Sequence, residues 1–554
     1  MILVPTAGKL SGPTTILLLL LLLSAGLAIA EIIPANRIAP WRGNVGVPGG
    51  IPARTTIYKN IVTDLGADPT GVTDCAPIIE RAINSCPAGQ VVYVPAGTFR
   101  LNSRVYLASR QNFTLRGAGM GVTIIKSASN SYLLFGSQQW PPPSTWVPIT
   151  VGATKGSNAI TVADTSAFVV DQLMNIGPAA MPVWAHNLGG YPDTIPNMRV
   201  AFKVRSKTAT TVTFDPPCPI DFSGMNPSAR PFKGPADGYH LIRGIGLEDF
   251  TMDLTNSSAP WAIEIDQAWG CWVKNIELNH ANSRQMRFGS FVRGEVRHCY
   301  THDSGSGPNH EGIDFDGDCC WNLVEDNICN KGGASPIQFG DSTGGNSCNV
   351  VSYNYVVNTD PGFWDISFNH SPHNMLNLAE GNAIDNYKDD GYFGSSSHNT
   401  LFRNRIKYNL ELKHFSNYYN IVGNVLGTTG FSNAYETEQA NYGNNPVYAL
   451  GFPNIGNHSY SGTFSPTTPP NYSGLPNKLT DPDNQKLDRN VKATILRHGN
   501  FDYANNSTVW DSSISDHMIP DSLYLAGEPA WWGDFPWPPI GPDRTPMVGQ
   551  IPAE

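Results

Sequence analysis

An asparagine recurs through the second half of the chain in a fixed local setting. Aligned on an apolar-x-x-Asn signature, six short segments end on an asparagine, and the segment VRHCY puts Cys299 in the same position. The aligned asparagines are Asn275, Asn327, Asn354, Asn382, Asn404 and Asn424. With Cys299 included, the steps between them are 24, 28, 27, 28, 22 and 20 residues.

These steps predict a solenoid of short β-strands. Repeats of twenty-odd residues with no helical pattern between them are typical of coils that bury their apolar edges on their neighbours. A leucine-rich repeat has a similar length, but its leucine spacing is missing. A β-sandwich is the remaining alternative, and it explains the asparagines less well, because amides stacked in a coil hydrogen-bond along the axis.

The strands of this solenoid show alternating polarity. Successive side chains of a strand point to opposite faces, so apolar pairs two residues apart enter the core and the residue between them points out. The predicted inward pairs are Ile263/Ile265, Met286/Phe288, Ile313/Phe315, Ile337/Phe339 and Ile366/Phe368. The outward residues are Glu264, Arg287, Asp314, Gln338 and Ser367, with Asp266, Asp316 and Asn369 extending the same face. Because coils stack about 4.8 Å apart, Arg287 is expected between Glu264 and Asp314.

Two carboxylates of this face have a spacing suited to catalysis. Asp314 and Asp316 are expected about 6.7 Å apart, within the roughly 6.5–9.5 Å typical of an inverting glycosidase. Their repulsion should raise the pKa of one, as a general acid requires, while Arg287 favours the ionised form of the other. The alternative is that both aspartates end a strand and bond turn amides, the role expected of Asp318.

Histidines near the same coils extend the candidate site. His302 and Asp303, and His310 and Glu311, flank the central strand, and a histidine beside a carboxylate is an oriented base or a turn residue. The predicted catalytic residues are Asp314, Asp316, Arg287 and His310. The predicted substrate-binding residues are Glu264, Asp266, His302, Asp303, Gln338, His370, His373 and Tyr392. No zinc motif is predicted, because His370-x-x-His373 is not HExxH and lies in a turn-rich segment.

The amino-terminal residues predict export. Residues 1–30 contain Lys9, the unbroken aliphatic run Ile16 to Leu23 and a small-residue site for cleavage after Ala30, as in a signal peptide. An uncleaved anchor is the alternative. No second run approaches the roughly 20 apolar residues of a membrane span, so the cleaved chain is expected to be secreted and free of the membrane.

The charge composition limits the kinds of partner that the chain can bind, and export to an oxidising compartment permits disulfides. Acidic residues outnumber basic ones 46 to 36, which disfavours a nucleic-acid partner. Among nine cysteines, Cys75 with Cys86 is the expected local bridge. The five cysteines between 299 and 348 are expected to be buried small side chains or stacked disulfides rather than a metal cluster.

Changes in pattern predict five segments. After the signal peptide, residues 31–136 hold an amphipathic helix, with Ile78, Ile79, Ala82 and Ile83 at helical spacing, and the first coils. Residues 137–236 are predicted to form an inserted β-hairpin lobe, and 237–430 the main coils with the candidate active face. Residues 431–554 are a Pro/Asn-rich tail expected to pack back on the solenoid, where Trp531, Trp532 and Trp537 cover an open coil end or form a sugar platform.

The segment GADPTGVTDCAPIIERAINSC, followed by GQVVYVPAGTF, resembles the entry of a known superfamily. It is similar to the first coil of the right-handed parallel β-helix proteins that include pectate lyases, polygalacturonases and rhamnogalacturonases. The resemblance covers about residues 50 to 430. It implies an all-β, right-handed parallel β-helix with a short amino-terminal capping helix, the inserted lobe and an irregular tail. The polygalacturonase signature Asn-Thr-Asp, Gly-His-Gly and Arg-Ile-Lys is missing, as is a clear calcium and arginine motif of pectate lyases.

The leading functional hypothesis is a secreted enzyme that hydrolyses a cell-wall-type polysaccharide with paired carboxylates. A polysaccharide lyase is the first alternative: there, carboxylates bind Ca²⁺, which neutralises a substrate uronate, and Arg287 or a histidine removes the C5 proton. A non-catalytic glycan-binding solenoid is the second, because the fold does not fix the function. Only the lyase requires Ca²⁺, and the oligomeric state stays open.

Overall fold

The computed structural model describes residues 32–137, 145–179, 197–304, 310–340, 344–360, 363–390, 394–413, 415–438, 445–451 and 488–554. The predicted signal peptide and Tyr392 lie outside these residues. Two α-helices, Ala76–Ser85 and Arg489–Thr494, and three 3₁₀ turns, Ala35–Arg37, Ser223–Met225 and Pro235–Asp237, accompany the strands. In the described part of the chain, no helix is long and apolar enough to cross a membrane.

Most strands belong to a parallel solenoid, and the first and larger of its sheets, sheet 1, takes two strands from most coils. Successive coils pair in parallel, for example Leu323–Glu325 on Val350–Ser352. The strands of sheet 1 are Ile57–Asn60, Thr70–Asp74, Gln90–Tyr93, Gly97–Leu101, Phe113–Arg116, Thr123–Ser127, Gly246–Asp253, Trp272–Asn279, Glu295–Arg297, Tyr300–His302, Leu323–Glu325, Ile328–Asn330, Val350–Ser352, Tyr355–Val357, Leu378–Glu380, Ala383–Ile384, Thr400–Phe402, Arg405–Ile406, Asn420–Val422, Val425–Leu426, Leu496–His498, Asn500–Asp502 and Ser507–Val509.

Sheet 2 forms another wall of the same coils and takes one strand from most of them. Its strands are Val105–Leu107, Leu133–Phe135, Ile242–Arg243, Trp261–Trp269, Arg284–Val292, Glu311–Asp316, Ser335–Gly340, Ile366–His370, Tyr387–Asp389, Leu410–Leu412, Ala434–Thr437 and Pro446–Leu450. The short pair Ser396–Ser397 and Ser416–Asn417 and a ladder of single bridges from Val292 to Ser397 run along the corner that follows sheet 2. The expected fold class, an all-β parallel β-helix, is therefore confirmed.

The register of sheet 2 agrees with the alternation read from the sequence. Glu264 pairs with Arg287, Arg287 with Asp314, Asp314 with Gln338, and Gln338 with Ser367. The five predicted inward pairs are all in the hydrophobic core. Within it, Phe315 stacks on Phe288 at 5.1 Å between ring centroids and on Phe339 at 4.6 Å.

A ladder of buried asparagines runs along the axis at the turn between paired strands of sheet 1. Each Nδ2 donates to Oδ1 of the asparagine in the next coil at 2.9–3.0 Å. The ladder contains Asn327, Asn354, Asn382, Asn404, Asn424 and Asn500. Cys299 occupies the preceding position, because its backbone N–H donates to Asn327 Oδ1 at 2.9 Å. Asn500 extends the ladder by one coil beyond Asn424, the last asparagine of the sequence repeat.

The alignment of Asn275 was wrong by one residue. Lys274 pairs with Arg297 and Glu277 with Tyr300, so Ile276 is the residue opposite Cys299. Asn275 instead has φ +57°, a left-handed conformation that asparagine tolerates better than most residues. The apolar-x-x-Asn pattern cannot separate these two adjacent positions, because asparagine is favoured at both.

Another turn of the coils contains further asparagine ladders, which the sequence repeat did not reveal. Side-chain bonds of 2.9–3.1 Å link Asn322, Asn349, Asn377 and Asn399. Three residues earlier, the backbone N–H groups of Cys319 and Asn346 donate to the side chains of Asn346 and Asn374. The Asn-x-x-Asn spacing in NSCN and NMLN is the signal that identifies these ladders.

The amino-terminal helix packs its buried face, Ile79, Ala82 and Ile83, into the same core as the first coils. Cys75 and Cys86 cap its two ends, and every cysteine of the chain is a buried free thiol. The expected Cys75–Cys86 bridge is therefore wrong. About 1.5 Å of rise per residue separates the two caps by roughly 16 Å, and a disulfide needs Cα atoms within about 7 Å.

The insertion is a closed antiparallel barrel that packs against the solenoid. Its core is continuous with Trp321 and with the apolar residues under the tail. The barrel strands are Val147–Gly152, Ala159–Val162, Leu173–Pro178, Val200–Lys207, Thr211–Asp215 and Pro227–Pro231.

The carboxyl-terminal segment lies along the outer face of sheet 1 rather than over a coil end. Tyr524 Oη donates to Glu325 Oε1 at 2.5 Å, and Leu523 N–H donates to Glu380 Oε2 at 2.9 Å. Trp532 is 1% exposed and packs edge-on against Tyr353. The Trp532 indole therefore covers the side of the coils and offers no open sugar platform.

The asparagine ladder predicts a large loss of stability when one rung is removed. Asn354→Ala deletes two accepted and two donated hydrogen bonds at a fully buried site. We expect a loss of at least about 2 kcal/mol in the free energy of unfolding, since buried partners remain unsatisfied. Urea denaturation measures it. The matched control is Asn102→Ala, on the exposed bond to Arg100, which should cost under about 0.5 kcal/mol; equal effects of the two variants would contradict the ladder.

Candidate functional site

The outward face of sheet 2 carries charged side chains that are shielded from solvent. Asp314 is 0% exposed, Asp316 1% and Glu264 3%. These side chains lie outside the apolar core to which Ile313 and Phe315 belong. Glu264 and Asp316 form ion pairs with a charged side chain of the coil next to theirs. Buried charges persist only when they are paired, so the partners of each carboxylate decide its chemistry.

Arg287 lies at the centre of the first charge cluster. Its guanidinium contacts Glu264 Oε1 at 2.6 Å, Asp266 Oδ1 at 3.5 Å and a carboxylate oxygen of Asp316. The register explains this arrangement, because Glu264, Arg287 and Asp314 belong to consecutive coils and Asp316 follows Asp314 by one alternation. Arg287 also stacks over Trp261 at 5.2 Å.

The protonation states within this cluster differ. Burial lowers the pKa of Arg287, but Asp316, Asp266 and Glu264 outweigh it, and the net shift is upward. Burial raises the pKa of Asp266 well above its usual range, with Arg287 opposing the rise and Glu264 adding to it. Arg287 is therefore a fixed cation and a poor proton acceptor.

Arg284 holds the second cluster. Its Nε lies 2.9 Å from Asp314 Oδ2 and 3.1 Å from Glu311 Oε2, so those two oxygens are no more than about 6 Å apart. Burial raises the pKa of Glu311 to about 7; Arg284 and His370 oppose the rise and Asp314 adds to it. A general acid needs a carboxyl group that keeps its proton close to neutral pH.

His370 lies beside this pair on a later coil. Its Nδ1 is 2.7 Å from Asp390 Oδ2, and its ring is 5.8 Å from Trp364. Burial lowers the pKa of His370, but Asp390, Glu311 and Asp314 raise it by more. The His370 and Arg284 side chains each keep 24% exposure and that of Lys388 keeps 18%, so these cations form the solvent-facing rim over the buried acids.

Other predicted residues lie away from this cluster. His302 is on sheet 1, where it stacks on Tyr300 and contacts Asp303 and Glu277. His373 is fully buried and hydrogen-bonded to Ser395 and Ser397, which makes it a structural residue. The segment His370-x-x-His373 therefore turns its two imidazoles to different surroundings.

Gln338 and His310 lie at the edge of the site, and no side-chain hydrogen bond joins either of them to its acids among the described contacts. Gln338 is 2% exposed and continues the column beyond Asp314. His310 precedes the acid strand and accepts from Ala334 N–H through its backbone oxygen at 2.7 Å.

Sequence reasoning missed Arg284 and the role of Glu311. Both stand at the start of their strands and pair in register, three residues before Arg287 and Asp314. Strict alternation places strand residues three apart on opposite faces, so the pattern that identified Arg287 and Asp314 gave no signal for Arg284 and Glu311.

The described residues contain no group of three or more His, Cys, Asp or Glu side chains arranged to hold a metal ion. Where carboxylates do gather, around Arg287, the guanidinium occupies the position that a Ca²⁺ ion would need. The Arg287 cluster therefore does not fit a calcium ion.

Comparison with known proteins agrees with the fold. Residues 59–285 match the family model described as rhamnogalacturonase A/epimerase, pectate lyase-like. This match covers less than half of the chain and agrees with its parallel coils, so the chain has the parallel β-helix fold and is similar in sequence, over residues 59–285, to pectate lyase-like proteins.

Individual relatives are distant. Proteins named probable rhamnogalacturonase B from Neosartorya fischeri and Aspergillus fumigatus are 29% identical over 94 residues, 17% of this chain. The chain spans 18% of the length of these relatives. Among solved structures, a tailspike protein of Pseudomonas phage LKA1 matches with TM-score 0.41 and 14% identity over 64% of this chain and 57% of its own. The A-module of mannuronan C-5 epimerase AlgE4 from Azotobacter vinelandii matches with TM-score 0.32 and 13% identity over 70% of this chain and 93% of its own.

The Arg287 cluster predicts a strong dependence of stability on one cation. Arg287→Met leaves the buried acids Glu264, Asp266 and Asp316 without their shared partner and should cost about 3–5 kcal/mol in the free energy of unfolding. Arg205→Met, which breaks a half-exposed pair with Asp215, is the control and should cost under about 1 kcal/mol. Urea denaturation of both variants tests this, and a loss below about 1 kcal/mol for Arg287→Met would contradict the cluster.

Proposed function

We propose that this chain is an exported enzyme that hydrolyses glycosidic bonds of a cell-wall-type polysaccharide on the outer face of sheet 2. The observation that carries the proposal is the contact of Glu311 and Asp314 with one guanidinium, that of Arg284. Two carboxyl groups close together, one of them able to keep its proton, are the chemical requirement of glycoside hydrolysis. The partial match to the rhamnogalacturonase A/epimerase model agrees with this class of substrate.

The roles follow from the surroundings of each acid. Glu311, with a pKa raised to about 7, protonates the leaving oxygen. Asp314 is the second carboxylate, which acts on the anomeric carbon or on the attacking water. Asp316 stays ionised beside Arg287 and fixes the end of the strand.

The sugar chain meets the rim before it meets the acids. Arg284, His370 and Lys388 keep partly exposed side chains, and Lys388 also lies 5.4 Å from the Trp364 ring. Cations and an indole edge suit the hydroxyl and ring-oxygen acceptors of a polysaccharide. His310, at the start of the acid strand, is assigned to binding beside this rim, and the buried Gln338 supports the outward column behind it.

The lyase alternative has less support. Its proposed base was Arg287 or a histidine, and the acids around Arg287 outweigh burial and hold the pKa of Arg287 above the ordinary value. A guanidinium surrounded by three acids is a poor acceptor for the C5 proton of a uronate. A non-catalytic glycan-binding solenoid keeps the same face and differs only in turnover.

A polysaccharide panel with two variants tests the function. Pectic, alginate, xylan and glucan polymers are incubated with the protein, and reducing ends and ultraviolet-absorbing unsaturated ends are measured. We expect reducing ends alone, and a fall in rate of about 10²–10⁴-fold for Glu311→Gln and for Asp314→Asn. Asp303→Asn, a partly exposed acid on sheet 1, is the control and should keep the wild-type rate.

Other results would redirect the assignment. Unsaturated products would identify a lyase, and glycan binding without turnover would identify a binding solenoid. Full activity in both acid variants would remove these residues from the chemistry.

The pH dependence of the rate follows from the same acid. Because the protonated form of Glu311 is the active one and its pKa is about 7, kcat/KM should fall as the pH rises through about 7. In Glu311→Asp, a shorter acid, the position of this limb should move while the fold is retained. A rate that does not change between pH 6 and 8.5 would contradict the assignment of Glu311 as the acid.

A further inference from the structure

The strand that carries the acids is tied directly to the inserted barrel. Asp318 follows Asp316 by two residues, and its carboxylate contacts side chains of the barrel rather than of the solenoid. Arg199 Nε lies 2.6 Å from Asp318 Oδ1, Arg230 Nη2 lies 2.9 Å from Oδ2, and Asn175 Nδ2 donates to Oδ1 at 3.0 Å. Asp318, which the sequence predicted to be a simple turn residue, therefore joins two parts of the fold.

The same barrel edge contacts the corner of the next coil. Arg199 donates to Gly344 O at 3.2 Å and its backbone oxygen accepts from Ser347 Oγ at 3.1 Å. Trp321 Nε1 donates to Ala201 O at 3.2 Å. Strand Val200–Lys207 and the residue before it thus contact the ends of two neighbouring coils of sheet 2.

The turn after the acid strand is contacted from both the solenoid and the barrel. Gly317 and Asp318 both have positive φ, +58° and +56°, a left-handed conformation that glycine adopts freely and aspartate tolerates better than most residues. Within the solenoid, backbone bonds join the turn to Ser290 and Gly344, and Cys319 Sγ donates to Gly317 O at 3.5 Å. The ion pairs to Asp318 therefore fix where the strand ends and, through it, where Asp316 and Asp314 point.

We propose that the barrel is a positioning device for the acid strand, in which Arg199 and Arg230 hold Asp318 and so set the geometry of Asp314 and Asp316. The proposal rests on the proposed function, because that function gives Asp314 a catalytic position to keep, and Asp316 connects Asp314 to Asp318 along the strand. Asp318 itself does not contact the substrate and is a positioning residue.

The charges agree with this role. Burial raises the pKa of Asp318, but Arg199 and Arg230 lower it by more, and the net shift is downward. Asp318 is therefore an ionised and compensated anchor, and the pKa of Arg230, lowered by burial to about 10, keeps that residue charged at neutral pH.

The test uses the full chain with three variants. Arg230→Gln removes one contact to Asp318, Asp318→Asn weakens both ion pairs, and Arg205→Gln breaks a half-exposed pair on the same barrel as the control. Two properties are measured: kcat and KM on the polysaccharide that the wild type cleaves best, and hydrogen exchange of residues 311–316 at 25 °C.

We expect kcat to fall at least about 10-fold in Arg230→Gln and Asp318→Asn, with KM changed less than about 2-fold, because small misplacement of a reacting group costs rate rather than binding. Exchange in residues 311–316 should rise at least about 10-fold while that in Leu410–Leu412, on a distant coil, stays constant. Arg205→Gln should change neither property.

Two outcomes would overturn the proposal. A lower melting temperature with wild-type kcat and wild-type exchange in 311–316 would make the contact purely a stabilising one, and a uniform rise in exchange over the whole solenoid would do the same. If the wild type cleaves no polysaccharide, the proposed function fails, and the exchange measurement alone decides whether the barrel holds the strand.

Discussion

The structure depends on the register between successive parallel coils. Backbone pairing alone permits a strand to slip by two residues without changing which side chains face the core. The buried asparagines remove that freedom, because each amide donates to its counterpart in the next coil and accepts from the one in the preceding coil at 2.9–3.0 Å. A slipped coil would leave these groups unpaired inside the protein, at a cost of about 1–3 kcal/mol for each. The ladders thus fix each coil in one position relative to the next.

A fixed register places charges from distant parts of the chain side by side. Arg287 and Arg284 lie on one coil, and the acids that they contact come from the coils on either side. Such clusters are expensive to bury, and their value lies in unequal protonation: burial raises the pKa of Glu311 to about 7, while the acids around Arg287 raise the pKa of Arg287 and keep it charged. The barrel contacts the end of the same strand through Asp318, so the insertion and the coils act on one set of residues.

Much of this arrangement could be predicted from local patterns. Alternation along Ile313, Asp314 and Phe315 gave the outward column and its order, and the asparagine repeat gave the solenoid. The prediction failed where position depends on contacts distant in sequence or on a shift of one residue. Asp318 contacts Arg199, which is 119 residues away in sequence. Asn275 lies one residue before the ladder position. His302 and His373 lie on parts of the coils different from that of His370. Composition and spacing carry no information about such contacts.

A double-mutant cycle between Arg284 and Asp314 tests the central claim most directly. The two residues are 30 positions apart in sequence and meet only if adjacent coils stack in the described register. With Arg284→Met, Asp314→Asn and the double variant, urea denaturation should give a coupling energy above about 1 kcal/mol, as expected for residues in one buried ion-pair network. Effects that add within about 0.5 kcal/mol would show that the two side chains do not meet, and the account of the site would be wrong.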